Sequence, residues 1–282
     1  MGRNFLRISW WTVNVALILS LLALVYSGVW EYSVRRYLAG FSDAIVPAGA
    51  TPEKRVEALL DWMRTGPSRS EELGPTGLAM RDPEKTLNYQ QLLSVCGTAT
   101  NAFLNLARSS GLQVRRLLLL TPDRQAKHVV AEVQLNGRWI LVDPTYRVIL
   151  RNNAGEMVTR SDLKNPRAFA EAIAKIPGYP AEYDYQNYAH VRLGRLPLEG
   201  FQLRPVLDHL LPGWDEKVDW SLLLERESFF VLAISACVAL LLLLLRQLLA
   251  WYADRKWKMP RFHVREHLSR AGSAFFTTPE IK

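Results

Sequence analysis

The sequence predicts an α+β domain carried between two membrane-spanning helices. Three observations predict it. Two runs, Val13–Val29 and Phe229–Leu245, are too apolar to face water. Between them, a helix-like stretch over 94–111 is followed by segments with the two-residue alternation of strands. Asn136-Gly137 joins two of those segments and is the strongest short hairpin signal a sequence offers. One helix and then a run of strands is the order of an α+β domain.

Each apolar run, taken with its flanking aromatics and with Arg246, reaches the roughly 20 residues needed to cross a bilayer. Trp10 and Trp11 head the first run as an interfacial anchor would. That feature and its length favour an uncleaved helix over a cleaved leader, despite a weak cleavage-like Val25-Tyr26-Ser27. Leu240–Leu245, six leucines before a basic tail, place the second run in lipid. The net charge of +8 sits at the ends: +2 over residues 1–10, +5 over 246–282, and 25 basic against 24 acidic groups between. This excludes a nucleic-acid partner. Basic flanks at both ends predict two cytoplasmic termini in the inner (plasma) membrane, with the intervening domain periplasmic or extracellular.

The expected organisation is an N-terminal transmembrane anchor (1–31), a helical lead-in and loop (32–85), a catalytic core (86–195) and a juxtamembrane segment (196–226). A C-terminal transmembrane helix (227–252) and a basic cytoplasmic tail (253–282) follow. In the lead-in, Trp30–Val46 continues the first helix until Pro47, Gly49 and Thr51-Pro52 break it. Pro52–Arg64 is a helix with Val56, Leu59, Leu60 and Met63 on one face. The Gly/Pro/Ser-rich stretch after it is a loop of about twenty residues. His263 and His267 lie four apart in the tail with basic neighbours and no third ligand, so no metal is expected there.

Two cysteines are present, and Cys237 falls within the second apolar run, where a thiol is a small apolar side chain. No disulfide framework is available to Cys96. Cys96 falls in the first turn of its helix, with Ser94 as the expected N-cap and Gly111 as the stop. There the helix dipole and unpaired N–H groups favour a thiolate. The Asn-Gly turn pairs Leu135 with Arg138, which sets Asp143 opposite Val130 and on the same face as His128, one diagonal step away. Such neighbours are roughly 7–8 Å apart at the backbone, within reach of an imidazole and a carboxylate. The other face, Val129, Ala131, Val133, Leu135, Ile140 and Val142, is apolar. If the Cys96 helix starts against the His128 face, the three form a Cys-His-Asp relay for attack on an acyl carbon. Gln90 and Gln91, six and five residues before Cys96, are in place to offer a side-chain amide to an oxyanion, beside the Cys96 N–H. Glu132 is expected in a structural ion pair and Trp139 in packing. Tyr179, Tyr183, Tyr185 and Tyr188 form an aromatic loop, packing over the sheet or walling a groove.

These residues resemble the transglutaminase-like branch of the papain-like superfamily. Its pattern is a cysteine heading a helix, Gly-apolar-x-x-Arg, His-x-x-x-Glu-Val, Asn/Asp-Gly-x-Trp and Val-Asp-Pro-Thr. The chain offers Cys96, Gly111–Arg115, His128–Val133, Asn136–Trp139 and Val142–Thr145, in that order. The resemblance implies a papain-like/transglutaminase-like core, a nucleophile helix packed on an antiparallel sheet. It assigns Cys96 as nucleophile, His128 as base, Asp143 as the orienting acid and Gln90 as an oxyanion donor. Ser94 and Val130 stand where many members have Gly and an aromatic residue. No acidic calcium cluster is visible, and no cofactor is implied.

The function this predicts is a membrane-tethered cysteine hydrolase, peptidase or acyltransferase. It would act on an amide or ester of a protein, peptide or polysaccharide-linked envelope substrate through an acyl-thioenzyme. Membrane lipid and subunits of a membrane complex are the expected partners. The alternative is a non-catalytic scaffold of the same fold in envelope or exopolysaccharide assembly. The predicted topology has a direct check: a membrane-impermeant maleimide should label Cys96 on intact cells. Labelling that appears only after lysis would place the domain in the cytoplasm.

Overall fold

The computed structural model of the chain describes residues 3–66, 69–191, 203–217 and 220–257. The basic tail beyond 257, with His263 and His267, lies outside the described residues, as do 192–195 at the end of the expected core and 196–202 and 218–219 of the juxtamembrane segment. The chain forms two compact units, one of residues 25–234 and one that joins 1–24 with 235–282.

Helix α1 (Arg3–Ile45) and helix α10 (Glu227–Trp257) carry the two apolar runs. Both are long and apolar enough to cross a membrane. Large apolar side chains such as Ile18, Leu22, Leu241 and Leu244 are exposed on them, as lipid-facing residues are. In the unit of the two chain ends, Arg246 Nε donates to Asn14 Oδ1 at 3.0 Å, and its guanidinium lies 5.2 Å from the Trp10 ring centre. That pairing accommodates a cation on an otherwise apolar helix.

In the 25–234 unit, α2 (Pro52–Thr65) begins where Thr51 caps Lys54 N–H and Pro52 occupies the first position. Val56, Leu59, Leu60 and Met63 are buried, the face their spacing predicts. The loop after α2 is shorter than expected. A 3-10 turn fills Gly77–Arg81, and α3 (Pro83–Asn88) starts at Asp82, whose carboxylate accepts from Glu84 N–H at 3.1 Å. Asp before Pro is an N-cap before an N1 proline, so the segment reads as a helix start. Then come α4 (Gln90–Ser94) and α5 (Cys96–Ser109).

Strands β1 (Val114–Leu120), β2 (Ala126–Leu135), β3 (Arg138–Asp143), β4 (Val148–Ile149) and β5 (Tyr188–Ala189) form one antiparallel sheet in the order β4-β3-β2-β1-β5. Asn136 (φ 51°) and Gly137 (φ 76°) both take positive φ, as a two-residue type I′ turn requires. Leu135 pairs Arg138, and the register runs unbroken to Ala131 opposite Val142.

Each sheet face has its own core. Ala131, Val133, Leu135, Ile140 and Val142 pack against α5, α2 and the α1 residues Val34 and Leu38. Leu117, Leu119, Val130 and Leu141 pack against α6 (Pro166–Ile173), Tyr179 and Tyr185. The mixed α+β architecture with an antiparallel sheet is the one the sequence predicts.

Two buried polar clusters tie the unit together. Arg115 Nε meets Glu132 Oε2 at 2.6 Å, with the guanidinium 4.2 Å from the Trp139 ring centre, so Glu132 and Trp139 are structural in the way expected. Farther along the chain, α7 (Leu203–Leu210), α8 (Trp214–Lys217) and α9 (Trp220–Glu225) precede Arg226. Arg226 Nη1 meets Glu31 Oε1 at 3.0 Å, and its Nε and Nη2 reach Asn105 Oδ1 at 2.9 and 2.7 Å. Ser228 Oγ donates to the second Glu31 oxygen at 2.7 Å.

Removing one member of a buried ion pair strands its partner's charge. Glu132→Ala should destabilise the domain by about 3–5 kcal/mol, read as a shifted midpoint in denaturant unfolding followed by tryptophan fluorescence. A shift within error of wild type would show that the Arg115 guanidinium is satisfied without Glu132.

Candidate active site

Cys96 opens α5 after an N-cap, Val95, that has no side chain able to cap it. The expected N-cap, Ser94, is still inside α4 and donates its hydroxyl to Gln90 O at 3.1 Å. Sequence spacing misses the short α4, which ends one residue before α5 begins. With no capping side chain, N–H groups of the first turn stay available to the thiol. The backbone at Gly97 and Val129 acts on the Cys96 thiol, favouring its charged form. At its other end, α5 stops at Gly111 (φ 83°), with Gly111 N–H to Arg108 O and Leu112 N–H to Ala107 O at 3.0 Å each. This is a Schellman stop, as the glycine predicts.

The helix lies over the Ala131–Val133 face rather than the His128 face. Its stripe of Ala99, Ala102, Phe103 and Leu106 packs there, in one core with Ala131 and Val133. The site is therefore assembled at the end of the sheet, where the first turn of α5 meets the third residue of β2. Two bonds fix that meeting, and a third ties the first turn of α5 back to α4. Thr100 Oγ1 donates to Val129 O at 2.9 Å, and Arg116 Nη2 donates to Gly97 O at 3.1 Å. The Thr98 hydroxyl reaches Leu92 O.

His128 hydrogen-bonds the half-buried Cys96 side chain. Its Nε2 lies 2.7 Å from Asp143 Oδ2, which leaves Nδ1 to face the sulfur. The pair is dry, with side-chain exposures of 2% for His128 and 0% for Asp143. Asp143 Oδ1 accepts from Thr145 N–H at 3.0 Å and Tyr146 N–H at 3.3 Å, so the turn after β3 holds the carboxylate in place.

Electrostatics follow from this geometry. The hydrogen bond from His128 draws the Cys96 thiol below its ordinary range; burial opposes this, while the imidazolium charge and the backbone at Gly97 and Val129 assist. Burial alone would lower His128, but bonds to Asp143 and Cys96 and their negative charge outweigh it and hold the imidazole at about 9. A thiol moved down and an imidazole moved up act in the same sense: both favour passing the proton from Cys96 to His128, toward a thiolate–imidazolium ion pair.

Gln90 heads α4 with an exposed side chain, and Gln91, also exposed, accepts Gly74 N–H on its Oε1 at 3.0 Å. What spacing alone misses is the aromatic setting of His128. The Tyr183 ring lies flat on the imidazole, centres 4.3 Å apart and planes 8° from parallel. Tyr146 and Tyr179 meet it edge-on at 6.2 and 6.4 Å. The cluster of tyrosines over 179–188 was the available signal, but its partner lies some fifty residues upstream.

Two expectations follow. Cys96 should be alkylated by iodoacetamide at pH 6.5 at least about tenfold faster than free cysteine, because thiolate is the reactive form. A rate equal to that of free cysteine would contradict the ion pair. His128 is raised above its unfolded value, so its contribution to stability is complete below about 6.5 and is lost as pH climbs through about 9. Unfolding midpoints measured from pH 6 to 10 should fall across that window in wild type and fall less in Asp143→Asn.

No curated protein and no solved structure matches the chain. The family model described as the transglutaminase-like superfamily matches residues 39–144, from the last turns of α1 through α2–α5 to the residue after Asp143. Cys96, His128 and Asp143 all fall inside that stretch. Residues 39–144 thus match a transglutaminase-like superfamily domain, in a chain with two long apolar helices.

Proposed function

We propose that the chain is a membrane-tethered cysteine enzyme that cleaves or transfers an acyl group of a cell-envelope substrate. The observation that carries this reading is the dry His128 held between the Cys96 thiol and the Asp143 carboxylate, 2.7 Å from the latter. In this reading the Cys96 thiolate attacks the acyl carbon of an amide or ester, and the carbonyl electrons move onto oxygen. The Cys96 N–H and the Gln90 amide are the donors assigned to that oxyanion, with Gln91 the neighbouring alternative. As the intermediate collapses, His128 gives its proton to the departing nitrogen or oxygen, leaving an acyl-thioenzyme. His128, now neutral, takes a proton from the incoming nucleophile, which attacks the thioester and returns the thiolate. Asp143 holds the ring orientation and supports its charge in both halves.

Water as the second nucleophile gives hydrolysis, and an amine or hydroxyl gives transfer. Hydrolysis is favoured as the simpler use of the same groups. The apolar helices and the basic chain ends support placement in the inner membrane, with the domain on the periplasmic or extracellular side.

A chromogenic ester such as p-nitrophenyl acetate tests the relay without the natural substrate. Cys96→Ala and His128→Ala should abolish release of nitrophenolate. Asp143→Asn should retain a weak remainder, down by about a hundredfold or more, since this residue orients rather than reacts. Turnover unchanged in Cys96→Ala would favour the scaffold reading.

A further inference from the structure

Tyr183 stands out because the relay does not need it and its geometry is so well defined. It is half-buried, so it does not plug the core; that task falls to Tyr179 and Tyr185, whose hydroxyls meet at 2.9 Å. Its ring is nonetheless fixed from several sides. Tyr179 meets it edge-on at 5.5 Å, and its hydroxyl bonds that of Tyr146. One residue back along each chain segment, Glu182 pairs with Lys127 at 3.5 Å, so the residues preceding Tyr183 and His128 are clasped together. The result is a phenol ring lying flat on the imidazole, 4.3 Å away.

We propose that Tyr183 is a positioning residue for the thiol chemistry, using its ring face to hold the His128 imidazole in line with Asp143 and to favour its charged form. This rests on the reading of Cys96 and His128 as nucleophile and base. A cation on an aromatic face is attracted by the ring's negative quadrupole, more strongly where water is excluded. The same cover keeps water from competing for the His128–Asp143 bond.

The groups facing His128 are Asp143 from β3, Cys96 from α5, and the rings of Tyr146, Tyr179 and Tyr183. Lys127 and Glu182 stand at the rim in their own pair. Burial raises the hydroxyl pKa of all three tyrosines, so they meet the imidazole as neutral π surfaces. The ring, not the hydroxyl, is then the active part of Tyr183.

The test compares Tyr183→Leu, which removes the π face, with Tyr183→Phe, which keeps it, in the full chain in detergent. Two readouts are followed: the pH profile of Cys96 alkylation, and titration of the His128 ring by NMR with isotope-labelled histidine. In the leucine variant the acid limb of alkylation should move up, and the His128 titration down, by roughly half to one pH unit. The phenylalanine variant should stay close to wild type in both. Should the leucine variant fail to fold, Tyr183→Met removes the π face in the same way. Unmoved limbs in a folded leucine or methionine variant overturn the proposal, and equal shifts in the leucine and phenylalanine variants do so by assigning the effect to the hydroxyl. An unreactive Cys96 in wild type would instead sink the catalytic reading, and the His128 titration would still decide what Tyr183 does.

Discussion

The arrangement hangs on one contact, the 2.7 Å bond between His128 and Asp143 in a place that water does not reach. A charged imidazole cannot be buried alone, because desolvation penalises it. Its charge is favoured here because the Asp143 carboxylate and the Cys96 side chain flank it. The carboxylate is held in turn by the two N–H groups of the turn after β3. This chain of support is local to one hairpin, and the hairpin is registered by Asn136-Gly137. A slip of one residue would turn Asp143 to the opposite face and leave both groups buried without partners.

The nucleophile reaches this pair by a route that the pattern of side chains alone does not give. An apolar stripe needs an apolar surface, so α5 packs on the Ala131–Val133 face and arrives at His128 only with its first turn. Thr100 and Arg116 then act as spacers between helix and sheet, setting the approach through backbone carbonyls rather than through the reactive groups. Because Val95 offers no cap, the turn's N–H groups stay available to the sulfur.

Much of this was legible in the sequence, and the exceptions have physical causes. The face of α2, the glycine stop of α5 and the pairing across the hairpin depend on residues close together in the chain, where spacing carries the geometry. Ser94 was misread as a cap because α4 is too short to show periodicity. The side of the sheet that α5 covers is not legible in the strands because both faces carry apolar residues, and only packing chooses between them. The Tyr183 stack and the Arg226 cluster join segments far apart in sequence, and no local pattern records such meetings. Of the groups around His128, Asp143 is readable from the hairpin and Cys96 from its place at the head of a helix, whereas the tyrosine rings are not.

The cluster around Arg226 also has a meaning for how the protein is made. Glu31 and Asn105 emerge from the ribosome long before Arg226, 195 and 121 residues later respectively. Until then Glu31 has only Arg35, four residues on and 2.6 Å away, and Asn105 at the rear of the nucleophile helix lacks the guanidinium that joins it to Glu31. Contacts of such long range are closed late, since the entropy of a large loop must be overcome before they form. A nascent or truncated chain lacks one of the bonds that hold the reactive helix against the rest, so part of the support behind the thiol comes from residues made late.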